Sequence, residues 1–203
     1  MAEYREINPC PLLAPLPAVL VSCRGVRGDD RPNLLAVAWA GTVNSKPPMV
    51  SVSIKPERFS HGLIAESGEF VINLVDAAHC RALDFCGVKS GRDTDKFAAC
   101  GLTPVRAEGL RHAPAVAECP AALSCAVRQR IPLGSHDLFL AEVVAVSVQE
   151  RLLDANGALR LDRADLVCYS HGVYQRTAEV LGFFGYSVAA PAVLKRRMAG
   201  YRE

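Results

Sequence analysis

The chain has 203 residues, of which 50% are hydrophobic, 22% charged and 6% aromatic. This length suits one compact domain, so we predict a single domain over residues 1–203, and the hydrophobic fraction excludes global disorder. The 23 basic and 21 acidic residues leave a net charge of +2. Such a balance favours neither a nucleic acid nor a membrane surface as a partner.

The first residues do not have the pattern of a secretory signal. Glu3 and Glu6 stand where such a signal is positively charged, and prolines interrupt the apolar stretch that follows. No apolar run approaches the length of a membrane span. We therefore expect a cytoplasmic protein, in which most of the eight cysteines serve as small buried apolar side chains. No C-x-x-C occurs, and we predict no metal site.

The distribution of apolar residues predicts a mainly β protein. Strand patterns cover residues 18–23, 34–41, 49–54, 70–74, 123–131, 138–150 and 166–169. Helix patterns are fewer and cover a segment capped by Ser60 and ending at Gly68, residues 77–85, and residues 94–100. Asn156-Gly157 predicts a tight turn. Because strands and helices do not alternate regularly, we expect a closed antiparallel barrel with short inserted helices.

Several common catalytic motifs are absent from the chain. There is no G-x-G-x-x-G after a strand, no phosphate-binding G-x-x-x-x-G-K-[ST], and no H-E-x-x-H. A nucleophile elbow around Ser170 is excluded because Cys168 stands where the motif needs glycine. The usual dinucleotide-binding fold and the common hydrolase sites are therefore not indicated.

The most informative stretch runs from Asn33 to Pro48. An apolar strand reaches Trp39, the single tryptophan, and a turn of small and polar residues follows it. Small residues let the backbone approach a flat ring, and backbone N–H groups can bond to its heteroatoms. The pattern is typical of a site for a flat, mostly apolar ligand with a polar rim. A tryptophan that only packs in the core remains the alternative.

Cations cluster after the next strand. Lys55 and Arg58 stand just ahead of the helix capped by Ser60, and Lys96 begins a later helix. Two cations beside free helix N–H groups form a favourable phosphate site. Read together with the Trp39 turn, they indicate a ring system with a phosphate tail. Ordinary surface charges remain the alternative.

The order of these segments resembles the flavin reductase-like, FMN-binding split-barrel family, and within it the flavoredoxin group. The resemblance covers residues 33–48, 49–60 and 69–74, with further matches at 87–97, 133–143 and 182–187. It implies a split β-barrel of Greek-key type with short inserted helices. It also implies a homodimer, FMN bound non-covalently near the subunit interface, and oxidoreductase chemistry.

By position, the resemblance also implies roles for individual residues. The flavin would be lined by Asn33, Trp39, Ala40, Gly41, Thr42 and Asn44, and by Ser53, Ile54 and Lys55 on the neighbouring strand. The phosphate would be held by Arg58, Ser60 and Lys96. The family's Gly-x-His element corresponds to Gly134-Ser135-His136, which places His136 near the ring edge as a candidate catalytic group. A hairpin-capping role beside Asp137 is the alternative for His136.

Three functions follow as hypotheses. In the first, NADH or NADPH reduces the bound FMN, which passes electrons to free flavin or another acceptor. In the second, the protein is an electron carrier between redox partner proteins and turns over no small substrate. In the third, the barrel binds another ligand, such as pyridoxal phosphate or a deazaflavin.

Overall fold

The computed structural model describes residues 3–177 and 179–201. The strands are β1 Leu16–Pro17, β2 Val19–Cys23, β3 Asn33–Val37, β4 Ala40–Ser45, β5 Pro48–Ile54, β6 Glu69–Leu74, β7 Pro104–Arg106, β8 Pro114–Val116, β9 Ala121–Pro132, β10 Asp137–Val148, β11 Val167–Ser170 and β12 Val173–Arg176. The helices are α1 Phe59–Ser67, α2 Cys80–Val88, α3 Lys96–Cys100 and α4 Pro191–Ala199. Short 3-10 turns cover Ala77–His79, Glu150–Leu152, Leu161–Arg163 and Tyr186–Val188.

A seven-stranded antiparallel sheet forms the body of the fold. Its strand order is β3-β2-β6-β9-β10-β5-β4, so β3 and β4 are the two edges. The sheet curls, because apolar side chains from β3 and from β5, near opposite edges, pack in one core. Leu35, Val52, Phe70 and Phe139 are buried members of that core. The fold is therefore mainly β, as predicted, although the ladder of the described strands stays open between β3 and β4.

A second apolar layer covers the outer face of β2 and β3. Leu20 and Leu34 point outward from these strands and pack against Leu83 and Cys86 of α2 and Phe97 of α3. This layer fixes α2 beside β3, and the short sheet β1-β11-β12 lies nearby through Val167 and Tyr174. In the described part of the chain, no helix has the length and apolar character needed to cross a membrane.

Most predicted elements appear with small shifts of their ends. The 34–41 strand is wrong as a single element, because the chain bends after Val37 and continues as β4. Ser60 is also wrong as a helix cap. The cap position of α1 is Arg58, and the Ser60 hydroxyl instead accepts a hydrogen bond from the Asn33 side chain. The Asn156-Gly157 turn is confirmed by the bridge between Leu153 and Leu159.

Candidate functional site

Two adjoining cavities open beside β3, α1 and α2. The first, of about 340 Å³, is called the aromatic cavity because Trp39, His136, Tyr169 and Tyr174 line it. The second, of about 300 Å³, is called the basic cavity, and its charged lining includes Arg58, Lys89, Arg92 and Lys96. Leu35, Arg58 and Val88 border both cavities. One elongated ligand could therefore occupy the two together.

The bend between β3 and β4 presents Trp39 to the aromatic cavity. The Trp39 carbonyl accepts a 2.9 Å hydrogen bond from the Ser53 backbone N–H of β5, which holds the bend against the sheet. Trp39 remains 41% exposed. Trp39 is therefore not a core aromatic, and its ring is available to a ligand in the cavity.

The turn between β9 and β10 carries His136 to the same wall. Its imidazole lies 4.6 Å from the Trp39 indole, centroid to centroid, with an angle of 38° between the planes. The next residue, Asp137, is buried and lies 2.9 Å from His61 Nε2, which anchors the start of β10 to α1. The anchor fixes the backbone that carries His136, and the Ser135 hydroxyl lies 3.0 Å from His136 Nδ1.

Residues of α2 and β12 also line the aromatic cavity. The Tyr174 hydroxyl donates to Asp84 Oδ1 at 3.2 Å, although the two residues are far apart in sequence. Burial, and then the negative charge of Asp84, raises the pKa of Tyr174 to about 12. Tyr169 packs edge-on against Tyr174 at 5.5 Å. The phenol therefore stays protonated and directs its proton to the carboxylate.

The basic cavity is built around a close contact between α1 and the segment that follows α2. Asn33 Nδ2 donates to the Ser60 hydroxyl at 2.7 Å. A Cβ at Gly91 would collide with the Asn33 amide and the Phe59 ring, so glycine lets the segment approach. Arg92 lies over the Phe59 ring at 5.7 Å from its centroid. The segment thus brings its cations to the cavity.

Lys96 has a different environment from the other cations. Its ammonium is buried and donates to the carbonyls of Leu34 at 2.7 Å and Cys86 at 2.8 Å. Burial lowers the pKa of Lys96, an effect that the neighbouring thiols Cys86 and Cys23 oppose. Two of its N–H donors are thus bonded to the main chain. The buried ammonium adds positive charge to the lining of the basic cavity.

The structure brings most of the residues predicted from sequence together. Trp39, Ser53, Ile54, Lys55 and His136 line the aromatic cavity, Asn33, Ser60 and Lys96 line the basic cavity, and Arg58 lines both. Ala40, Gly41, Thr42 and Asn44 lie outside both cavities, on the exposed edge strand β4. Their contact with a flavin stays a prediction.

Other lining residues were not assigned by the sequence reasoning. Lys89 and Arg92 belong to the matching segment 87–97, so the cationic character of that segment was a usable signal. Asp84 and Tyr174 had no such signal, since β12 was not predicted and its partner α2 lies far away in sequence. Together, the two cavities offer an aromatic wall, a group of cations and a pair of oxygen acceptors.

The chain is similar to known proteins over most of its length. Residues 13–177 match the family described as flavin reductase like domain. The flavoredoxin of Desulfovibrio vulgaris (Miyazaki F) is 32% identical, with 92% of this chain and 100% of that chain covered and a TM-score of 0.85. An FMN-binding protein from Thermus thermophilus is 29% identical, with 90% and 99% covered and a TM-score of 0.73.

A third relative is named as the reductase component of a hydroxylase. The reductase component of the FADH(2)-dependent resorcinol hydroxylase of Rhizobium sp. (strain MTP-10005) is 26% identical over 136 residues, which are 65% of this chain and 70% of the relative. The family match covers most of the chain, and the structural likeness supports the predicted split-barrel fold. The chain belongs to the flavin reductase-like family.

Proposed function

We propose that the protein is an FMN-dependent oxidoreductase whose two adjoining cavities hold the cofactor. The isoalloxazine ring would occupy the aromatic cavity and the phosphate the basic cavity. The observation that carries this proposal is the shared border, because Arg58 reaches both cavities and joins a ring site to an anion site. The FMN-binding relative from Thermus thermophilus supports the same cofactor.

The lining residues fit such a group chemically. Trp39 and His136 offer stacking surfaces for a flat ring, and Lys55 offers a charge that favours electron-rich ring oxygens. Arg58, Lys89 and Arg92 offer charge-assisted hydrogen bonds to a phosphate. When bound, FMN supplies hydride and electron transfer, whereas the protein binds and orients the ring.

The reaction we propose uses NADH or NADPH as a transient electron donor and free flavin or another small molecule as the acceptor. The reductase component from Rhizobium supports this direction of electron flow. His136 is the candidate group that orients the nicotinamide or stabilises charge on the reduced ring, since a histidine can change its charge near neutral pH.

An anaerobic absorbance experiment tests this function. The purified protein is saturated with FMN, and NADH or NADPH is added without oxygen. We expect the visible absorbance of the bound FMN to decrease after addition of at least one of the two nucleotides. FMN that binds but is reduced by neither nucleotide would overturn the reductase proposal. A protein that instead carries a ligand without flavin absorbance would support the third hypothesis.

A carrier function is the second candidate, favoured by the likeness to flavoredoxin over nearly the whole chain. A carrier would exchange electrons with redox partner proteins through the open side of the aromatic cavity, where Trp39 is half-exposed. Rapid reduction of bound FMN by a reduced ferredoxin, with negligible oxidation of NADH and NADPH, would favour the carrier over the reductase.

A homodimer is also part of the proposal. The edge strand β4 is exposed along most of its length, and it includes Val43, which is 50% exposed. The same strand contains four residues that the family resemblance assigns to the flavin. A second copy seated on β4 would bring those residues next to a cofactor. The cytoplasmic location remains a prediction from the sequence, to be checked by cell fractionation.

A further inference from the structure

Asp84 and Tyr174 form a pair of hydrogen-bond acceptors on one wall of the aromatic cavity. Tyr174 has one hydroxyl proton, and it points to Asp84 Oδ1 at 3.2 Å. The Tyr174 oxygen can then only accept, and an ionised carboxylate can only accept. In the described part of the chain, Tyr174 is the side chain that donates to Asp84, which leaves carboxylate oxygen capacity for a ligand.

The pair lies next to the junction of the two cavities. Asp84 and Val88 are four residues apart on α2 and therefore share one helix face. Val88 borders both cavities, and Asp84, which lines only the aromatic cavity, lies about one helical turn away, roughly 6 Å along the axis. A chain that links an anion in the basic cavity to a ring in the aromatic cavity would pass this wall.

The charges of the cavity restrict what the pair can bind. Lys55 and Arg58 are donors and suit the oxygens of a ring or phosphate, whereas Asp84 and Tyr174 suit a group that donates. An anionic group on that side would meet the Asp84 carboxylate and be repelled. A group that donates hydrogen bonds and carries no negative charge fits this pair, and the hydroxyls of a polyol chain are donors of this kind.

We propose that Asp84 and Tyr174 recognise the hydroxyl groups of a polyol chain, and so make this site selective for a flavin that carries its ribityl chain over the bare ring. The inference rests on the proposed function, because it takes a flavin as the occupant. Asp84 provides the charged acceptor, and Tyr174 positions the carboxylate while contributing a second oxygen.

Equilibrium titration with two uncharged flavins tests the inference. Riboflavin carries the ribityl hydroxyls, whereas lumiflavin has a methyl group in their place. Quenching of flavin fluorescence reports the dissociation constant of each without any turnover. We expect Asp84→Ala to raise the riboflavin dissociation constant by about tenfold or more, as loss of a charged hydrogen bond does, and to leave that of lumiflavin unchanged.

Further variants make the test selective. Tyr174→Phe should raise the riboflavin constant less than Asp84→Ala, because the carboxylate remains. Asp84→Asn keeps the side-chain size, and its riboflavin dissociation constant should lie between those of the wild type and Asp84→Ala. This variant preserves the test if Asp84→Ala folds poorly. Asp93→Asn is the matched control, since Asp93 is exposed nearby but lines neither cavity, and its selectivity should equal that of the wild type.

The outcomes separate this inference from the function on which it rests. The inference alone would be overturned if the wild type binds both flavins and the ratio of the riboflavin to the lumiflavin dissociation constant is the same in Asp84→Ala and Asp84→Asn as in the wild type. Equal weakening of both flavins in these variants is one form of that result. A wild-type protein that binds neither flavin would overturn the proposed function and this inference together.

Discussion

The imidazole of His136 lies against the indole of Trp39, with 4.6 Å between the ring centroids. The two residues come from different turns, one between β3 and β4 and the other between β9 and β10. Antiparallel pairing of β10 with β5, and of β5 with β4, brings these turns to the same end of the sheet. The pair therefore forms a preassembled aromatic wall on the cavity.

Substitution of Trp39 tests that wall. We predict that Trp39→Ala weakens FMN and riboflavin by the same factor, because the indole faces the ring and not the phosphate. The loss of an aromatic contact is worth about 0.5–1.5 kcal/mol beyond the lost apolar area. Fluorescence titration measures both constants, and Trp39→Phe should retain part of the affinity. Unchanged riboflavin affinity in Trp39→Ala would remove Trp39 from the ring site.

Substitution of Arg58 tests the anion site. We predict that Arg58→Ala weakens FMN by about 1.5–3 kcal/mol and riboflavin much less, since only FMN carries a phosphate for the guanidinium. Arg58 is exposed and donates to the Gly87 carbonyl at 3.2 Å, so the fold should tolerate the change. Arg81→Ala, on the exposed side of α2, is the matched control. Equal losses for both flavins would show that Arg58 does not contact the phosphate.

Substitution of Lys96 tests its contribution to the stability of the fold. Lys96→Met leaves the carbonyls of Leu34 and Cys86 without their donor, and we predict a loss of about 1–3 kcal/mol in the free energy of unfolding. Urea denaturation of the flavin-free protein measures it. An unchanged free energy of unfolding would contradict the buried role. Titration of the same variant with FMN and riboflavin tests the phosphate contact expected from sequence. If Lys96 contacts the phosphate, the affinity for FMN should fall more than that for riboflavin.

Alkaline pH should destabilise the fold. Burial raises the pKa of Cys23, Cys86, Cys119 and Cys125 from 9.0 to about 12. Above pH 9 the unfolded thiols ionise while the folded ones keep their protons, so the folded state loses up to about 1.4 kcal/mol per pH unit for each thiol. Lys96, whose pKa is lowered, opposes this trend over its own range.

Denaturation curves between pH 8 and pH 10 check the sign of this dependence. These values bracket, by about one unit each way, the pH at which an unfolded thiol ionises. We expect the midpoint to fall as the pH rises. Cys125→Ala removes one buried thiol and should give a shallower fall. A midpoint that rises with pH over the whole range would contradict the assignment of buried, protonated thiols.

The homodimer is tested by light scattering of the FMN-saturated protein. We predict a mass twice that of the chain. A charge in the exposed edge strand, as in Val43→Asp, should shift the equilibrium towards the monomer if β4 contacts the partner, because it buries an unpaired charge. A monomer that binds FMN fully would contradict the proposed assembly.

Local patterns in the sequence predicted most of the fold. The period-two pattern of residues 49–54 matches the alternating burial of β5. Gly68 ends α1 in a left-handed conformation, as predicted. The edge strand β4 was not predicted, because its small polar residues have little strand character of their own. It exists through pairing with β5, and local sequence does not report that contact.

The site was predictable to a similar degree. Trp39, Lys55 and Arg58 follow one another along a short stretch whose pattern indicated a ring site and a phosphate site, although it left core packing and surface charges open as alternatives. Asp84 and Tyr174 meet only because the outer layer docks α2 beside the β11–β12 hairpin. No short motif could have connected them. A resemblance located the flavin site, whereas the acceptor wall required the tertiary structure.

A crystal structure of the protein with FMN tests the central claim most directly. We predict electron density for the ring beside Trp39 and His136, and for the phosphate between Arg58 and the segment that carries Lys89 and Arg92. Density for FMN elsewhere on the protein, with both cavities filled by side chains, would contradict the account.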